Sequence, residues 1–149
     1  MLSTPPATGD VEATTVYVCG MEFAFTDRCN EYRATLLAFM DECIYPNEHV
    51  YHQQLLESGD PHHHPAVMEE LKAEARKRGL WNLFLPHDDW GPGLSNAEYA
   101  PLAEIMGRST IASEACNCSA PDTGNMEVLT MFGTPEQKDM WLDRKSTRL

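Results

Sequence analysis

Histidine is the residue type whose spacing first suggests chemistry. His62-His63-His64 form an unbroken triplet, and His49 and His52 precede it in a predicted helix. Imidazoles ligate zinc, and residues three apart share a helix face. Adjacent histidines, however, cannot easily aim at one ion, and no cysteine or carboxylate stands at a finger-like spacing. The triplet therefore reads as a solvated loop leading to Pro65. Asp88 and Asp89, in a Gly/Pro-rich loop, invite a calcium reading, but the Asp-x-Asp-x-Asp-Gly pattern is missing. No metal site is expected. Asp41-Glu42 and Glu69-Glu70 are acidic pairs, yet adjacent helix positions point about 100° apart, which suits solvated faces better than an acid/base dyad. There is no Gly-x-Ser-x-Gly elbow, phosphate loop or Gly-x-Gly-x-x-Gly turn. No residue is assigned a catalytic role.

Five cysteines (Cys19, Cys29, Cys43, Cys116, Cys118) are an odd number without C-x-x-C spacing, so neither a disulfide scaffold nor a zinc ribbon is suggested. They are expected to be reduced thiols, several packed as small apolar residues. A net charge of -12 argues against a nucleic-acid or anionic-membrane surface, which would want clustered Lys and Arg. No apolar run approaches a membrane span. Without Lys or Arg before Arg28, residues 1–27 offer no secretory n-region or transit peptide, and a cytoplasmic location is expected.

The elements that must position any site read as helices. Residues 1–20, rich in Ser, Thr, Pro and Gly, form an expected arm with little order. Thr26 is a good N-cap for a helix carrying Tyr32, Leu36, Phe39, Met40 and Cys43 on one face. Pro46 should kink or restart that helix, which continues through Leu55 and Leu56 to the stop at Ser58-Gly59-Asp60-Pro61. A second helix opens at Pro65 with Val67, Met68, Leu71 and Ala75 inward, a Glu74–Arg78 pair, and Gly79 as its stop. Leu80 to Leu85 is predicted to be a buried extended connector, with Trp81 and Phe84 in the core. After a loop from Pro86 to Leu94, Ser95 and Glu98 make a capping box for a helix burying Tyr99, Leu102, Ile105 and Met106. That helix should bend at Pro101 and end at Gly107. Small residues from Ile111 to Ala120 permit close helix contacts. Pro121 opens a helix carrying Met126, Leu129 and Phe132, and Gly133 stops it. Thr134, Pro135 and Gln137 start a last one ending in Met140-Trp141-Leu142. The fold class is all-α, with five to six helices.

This order of elements resembles the N-terminal helical domain of the acyl-CoA dehydrogenase flavoproteins. The resemblance spans about residues 21–143 and starts at Met21-Glu22-Phe23. It rests on Gly79-Leu80-Trp81 with its Gly-rich loop, on Glu98-Tyr99-Ala100-Pro101-Leu102-Ala103-Glu104-Ile105-Met106-Gly107-Arg108, and on Gly133-Thr134-Pro135-Glu136-Gln137-Lys138 followed by Trp141-Leu142. The segment Asn117 to Asn125 is similar to the branch whose larger members can carry a fused phosphotransferase-like domain.

The resemblance implies α,β-dehydrogenation of an acyl-CoA thioester, with a carboxylate taking the α-proton and the β-hydride passing to FAD. It implies FAD as cofactor, an acyl-CoA substrate, an electron-transfer acceptor, a homo-oligomer and no nucleic acid or membrane span. In the family the flavin and the catalytic glutamate belong mainly to a β middle domain and a C-terminal bundle. Residues 144–149, a basic tail unlike the family's continuation, are expected to be a truncation artefact, and the 149 residues alone, lacking the catalytic base and most flavin contacts, are expected to be inactive. The resemblance carries Thr123, Gly124, Asn125 and Val128 to the acyl end of the substrate pocket. A packing role for Gly124 and a turn-capping role for Asn125 are the competing reading. A stand-alone helical interaction module without catalysis is the alternative for the whole chain.

Overall fold

The computed structural model describes residues 24–60, 62–86 and 89–147, with side chains described as far as Leu142. The arm at 1–20, the start of the resemblance at Met21 and the loop residue Asp88 lie outside the described residues. Helices α1 (Asp27–Phe39) and α2 (Tyr45–Ser58) are joined without a break by a π-helical turn, Met40–Ile44. Then come α3 (Ala66–Lys77), α4 (Asn96–Met106), the single turn α5 (Ala112–Ala115), α6 (Asp122–Phe132) and α7 (Pro135–Thr147). Counting the α1–α2 rod once, the described residues form six helices and no strand, in line with the all-α expectation.

Caps start the helices where the sequence places them. The Thr26 hydroxyl accepts from the Cys29 amide at 3.1 Å and satisfies one of the donors a helix N-terminus leaves open. Ser95 and Glu98 form the reciprocal capping box of α4, and Thr134 and Gln137 do the same for α7. Pro65 stands at the cap of α3 and not at the first helical position expected for it, and has no side-chain oxygen to offer. Gln54 of α2 supplies the missing acceptor, taking the Val67 amide at 3.1 Å.

Pro46 restarts the first rod through a change of ladder. Proline has no N–H for the carbonyl four residues back and its ring crowds that carbonyl, so the preceding turn widens to π geometry. The Asn47 amide donates to the Cys43 carbonyl at 2.8 Å and occupies one of the acceptors left by the shift. Gly59 ends α2 in the left-handed conformation, φ 67°. Helix α4 runs unbroken through Pro101.

The core lies between α1, the π-turn, α3, α4 and α5. Leu36, Phe39, Met40 and Ile44 pack with all four expected residues of α3 and with Leu102, Ile105 and Met106 of α4. Ala112 and Ala115 are fully buried, so the small residues bring α5 close to α3. Arg78 ends α3 in two ion pairs at 2.8 Å, with Glu74 as expected and also with Glu42 of the π-turn.

Several expectations need correction. The 80–85 connector is buried but built of turns, not extended chain. Phe84 is inside, whereas Trp81 sits at the edge with the Arg76 guanidinium 3.8 Å over its ring. Tyr99 is only partly buried. Phe132, grouped with Met126 and Leu129, is 74% exposed. The helix of α7 continues past its apolar end at Leu142 to Thr147, taking in part of the 144–149 segment.

Candidate functional site

Helix α6 carries all four residues that the resemblance assigns to substrate. It follows Pro121, which gives it no side-chain cap, and one face is fixed by Met126, fully buried, and Thr130, whose hydroxyl donates to the Met126 carbonyl at 2.7 Å. Anchoring Met126 inward turns the neighbouring positions outward. Asn125 and Val128 then line, with Leu129 and with Trp141 of α7, a groove of about 390 Å³. Its wall is mainly apolar, with one amide, and Val128 is 58% exposed there.

Thr123 and Gly124 are not brought to that groove. Thr123 is half-buried and Gly124 is exposed at the start of the helix. A Cβ on Gly124 would meet nothing within 4 Å, so close helix packing is not what requires glycine there. Asn125 accordingly belongs to a groove wall in mid-helix and caps no turn.

Below the groove, Phe84, Leu85, Met126 and Leu142 make a small apolar cluster flanked by Trp90, Tyr99, Cys118 and Leu129. Burial pushes the Cys118 thiol up to about 11, against the opposing backbone hydrogen bonds of Phe84 and Leu83 and that of the Tyr99 hydroxyl. The Tyr99 hydroxyl is raised as well, first by burial and then by Cys118. Burial likewise raises Cys116. These groups stay neutral near neutral pH and offer neither a thiolate nor a phenolate beneath α6. The four described cysteines are free thiols.

Sequence reasoning missed Asn82 and Asn117. Both have positive φ, 56° and 52°, and Asn117 Nδ2 donates to Asn82 Oδ1 at 2.7 Å. The available signal was a lone polar residue inside the apolar run Leu80 to Leu85. The histidine triplet is exposed, as are His49 and His52. Among the described residues no group of three His, Cys, Asp or Glu stands close enough to hold a metal ion. No described helix is long and apolar enough to cross a membrane.

Comparison with known proteins places this geometry. The family model for the acyl-CoA dehydrogenase N-terminal domain matches residues 26–147. A probable acyl-CoA dehydrogenase of Mycobacterium tuberculosis is 49% identical over 124 residues, 82% of this chain and 30% of that protein. Acyl-CoA dehydrogenase family member 11 of Rattus norvegicus is 39% identical over 145 residues, 95% of this chain and 17% of that protein. A solved structure from Mycobacterium abscessus, assigned to the acyl-CoA dehydrogenases, superposes with a TM-score of 0.74 at 46% identity, covering 81% of this chain and 32% of that one. The chain thus spans about a third or less of the length of these relatives.

Proposed function

The chain belongs to the acyl-CoA dehydrogenase family through its N-terminal domain, and from that premise we propose that helix α6 forms a wall against which the acyl chain of an acyl-CoA thioester lies. The observation that carries the reading is the groove of Asn125, Val128, Leu129 and Trp141. An alkyl chain gains by leaving water for an apolar wall, up to ~0.8 kcal/mol per buried CH2. A single amide among apolar side chains can orient such a chain without demanding a charge. In this proposal Val128 and Asn125 touch substrate, and Thr123 and Gly124 set the start of the helix.

The family implies FAD, and the described residues do not fit it. A dinucleotide needs several donors around its diphosphate, and the α6–α7 groove offers one amide. The hollow beside α1 and Gly79 has two arginines, but Arg78 is paired with Glu74 and Glu42, and Arg28 donates to the Pro92 carbonyl. No redox step is assigned to these residues. Dehydrogenation, hydride transfer to flavin and passage of electrons to an acceptor are proposed for an assembled acyl-CoA dehydrogenase, to which this helical unit contributes substrate contact.

The test is binding of acyl-CoA thioesters of graded length to the 149-residue chain by calorimetry. Affinity should rise with chain length, and Val128→Asp should remove the rise. Binding that ignores chain length, or that survives the aspartate unchanged, would overturn the proposal. A second measurement is flavin absorbance per protein after adding excess FAD and desalting. Far less than one flavin per chain is expected, together with no dye reduction by acyl-CoA. A near-equimolar yellow complex would show a flavin site within these residues.

A further inference from the structure

Helices α6 and α7 pack chiefly on each other. They reach the rest of the protein through the small cluster of Phe84, Leu85, Met126 and Leu142, which meets the main core under α1, α3 and α4 only at the partly buried Tyr99 and Cys118. Four buried apolar side chains are little to hold two helices against an opening that would hydrate them. A polar contact lies beside that cluster. Asn117, in the link between α5 and α6, donates its amide to Asn82 Oδ1 at 2.7 Å, and the same nitrogen lies 3.5 Å from the Met126 sulfur. Asn82 is fully buried. It passes the connection on, donating its side-chain amide to the Trp90 carbonyl at 2.8 Å and its backbone N–H to the Cys116 carbonyl at 3.1 Å. Both asparagines hold the left-handed backbone conformation that L side chains rarely adopt. Such residues persist where the surroundings over-determine them, and here the two side chains bond to each other.

We propose that the Asn82–Asn117 bond is a latch that seats the α6–α7 hairpin, and that the hairpin opens from the body as one unit when the latch is released. Asn82 and Asn117 are positioning residues. They act through Met126, whose burial decides which way Asn125 and Val128 face. The latch bears on substrate only through the proposed role of α6 as an acyl wall. The opening itself does not depend on that role.

Site-resolved amide hydrogen exchange on the 149-residue chain tests the latch. In the parent, amides of α6 and α7 should exchange through one shared opening, faster than those of α3 and α4. Asn117→Gly keeps a backbone at ease with positive φ while deleting the amide, and should speed α6–α7 exchange about tenfold. Exchange in α3 and α4 should stay unchanged. Asn125→Ala, on the exposed side of the same helix, should change neither. Should Asn117→Gly fail to fold, Asn117→Asp tolerates the same backbone but presents an acceptor to Asn82 Oδ1, and should show the same selective loosening. Equal protection of α6–α7 and α3–α4 in the parent, or a variant that loosens every helix alike, would overturn the latch. Acyl-CoA binding is read separately, so a failed acyl wall and a failed latch are told apart.

Discussion

One oxygen of the Glu98 carboxylate accepts the Thr26 hydroxyl at 2.9 Å, while the other accepts the Ser95 amide at 3.0 Å. A single side chain thus joins the capped N-termini of α1 and α4. Hydrogen bonds from the Ser95 backbone, the Ser95 hydroxyl and Thr26 hold its pKa below the ordinary glutamate value. A carboxyl depressed in the folded state contributes stability that is fully present above its unfolded pKa and is lost as pH falls through the folded one. Urea unfolding of the parent should therefore weaken as pH drops below about 4.3. Glu98→Gln should be less stable at neutral pH and show a shallower acid limb. Parallel limbs for the two proteins would show that Glu98 does not contribute to the acid sensitivity.

The aromatic pair in the 80–85 turns separates core from edge. Phe84→Ala removes a buried ring beside Met126 and Leu142 and should cost ~3–5 kcal/mol. Trp81 lies partly in solvent under Arg76, so Trp81→Ala should cost distinctly less, with a cation–π share of ~0.5–1 kcal/mol. Urea midpoints of the two variants give the ranking. Equal losses would place Trp81 in the core after all.

Much of this fold was legible because local rules and burial agree along it. Val67, Met68, Leu71 and Ala75 repeat at helical spacing and all four are buried. Ser95 and Glu98 announce their helix start, and the geometry repeats the announcement. Periodicity identifies an apolar face but not what covers it, which is why Phe132, grouped with Met126 and Leu129, nevertheless stands in water. The π-turn was hidden because Pro46 signals only a disturbance, and several ladder shifts could absorb it. Of the α6 assignments, Asn125 and Val128 meet at a groove because Met126 points the opposite way. The Asn82–Asn117 contact spans 35 positions, beyond any local pattern.

Two glycines make opposite predictions for the same substitution. A Cβ on Gly91 would stand 2.7 Å from the Leu85 carbonyl oxygen and 2.9 Å from that of Asn82. These are backbone atoms and cannot step aside, so Gly91→Ala should destabilise by ~1–3 kcal/mol. Gly124 has open space around it inside a helix, and Gly124→Ala should stabilise by about 0.5–1 kcal/mol. Thermal or urea midpoints should move in opposite directions. A neutral Gly91→Ala would mean that Gly91 is not held against the 82–85 turn.

Thiol chemistry reports on the underside of α6. Burial holds Cys118 at about 11 and raises Cys116 further, so the thiolate, the form that alkylates, is scarce in both near neutral pH. Cys43, half-buried beside Arg78, is also raised by burial, but the Arg78 guanidinium opposes that rise by favouring the thiolate. Iodoacetamide at pH 8, read peptide by peptide, should label Cys43 before Cys116 and Cys118. Denaturant should make the three alike. Early native labelling of Cys118 would show that the small cluster under α6 is open to solvent.

The outer side of α6 and α7 presents Val128, Met131, Phe132, Met140 and Trp141, each roughly half exposed or more. Large apolar side chains gathered on two neighbouring helices exceed what scattered surface residues explain, and exposed apolar patches favour association. Each such side chain recovers up to ~1.5–3 kcal/mol when fully buried, so covering several together is a strong drive. The net charge of -12 opposes this through mutual repulsion, and salt weakens that opposition by shortening its range. The 149-residue chain should therefore self-associate in a concentration-dependent way, more at high salt than at low salt. Met131→Gln with Phe132→Gln should shift the sedimentation profile toward monomer while leaving the urea midpoint nearly unchanged, because neither side chain packs in the core. Unaltered association in the double variant would place the contact elsewhere, with the exposed Leu56 end of α2 the next surface to change.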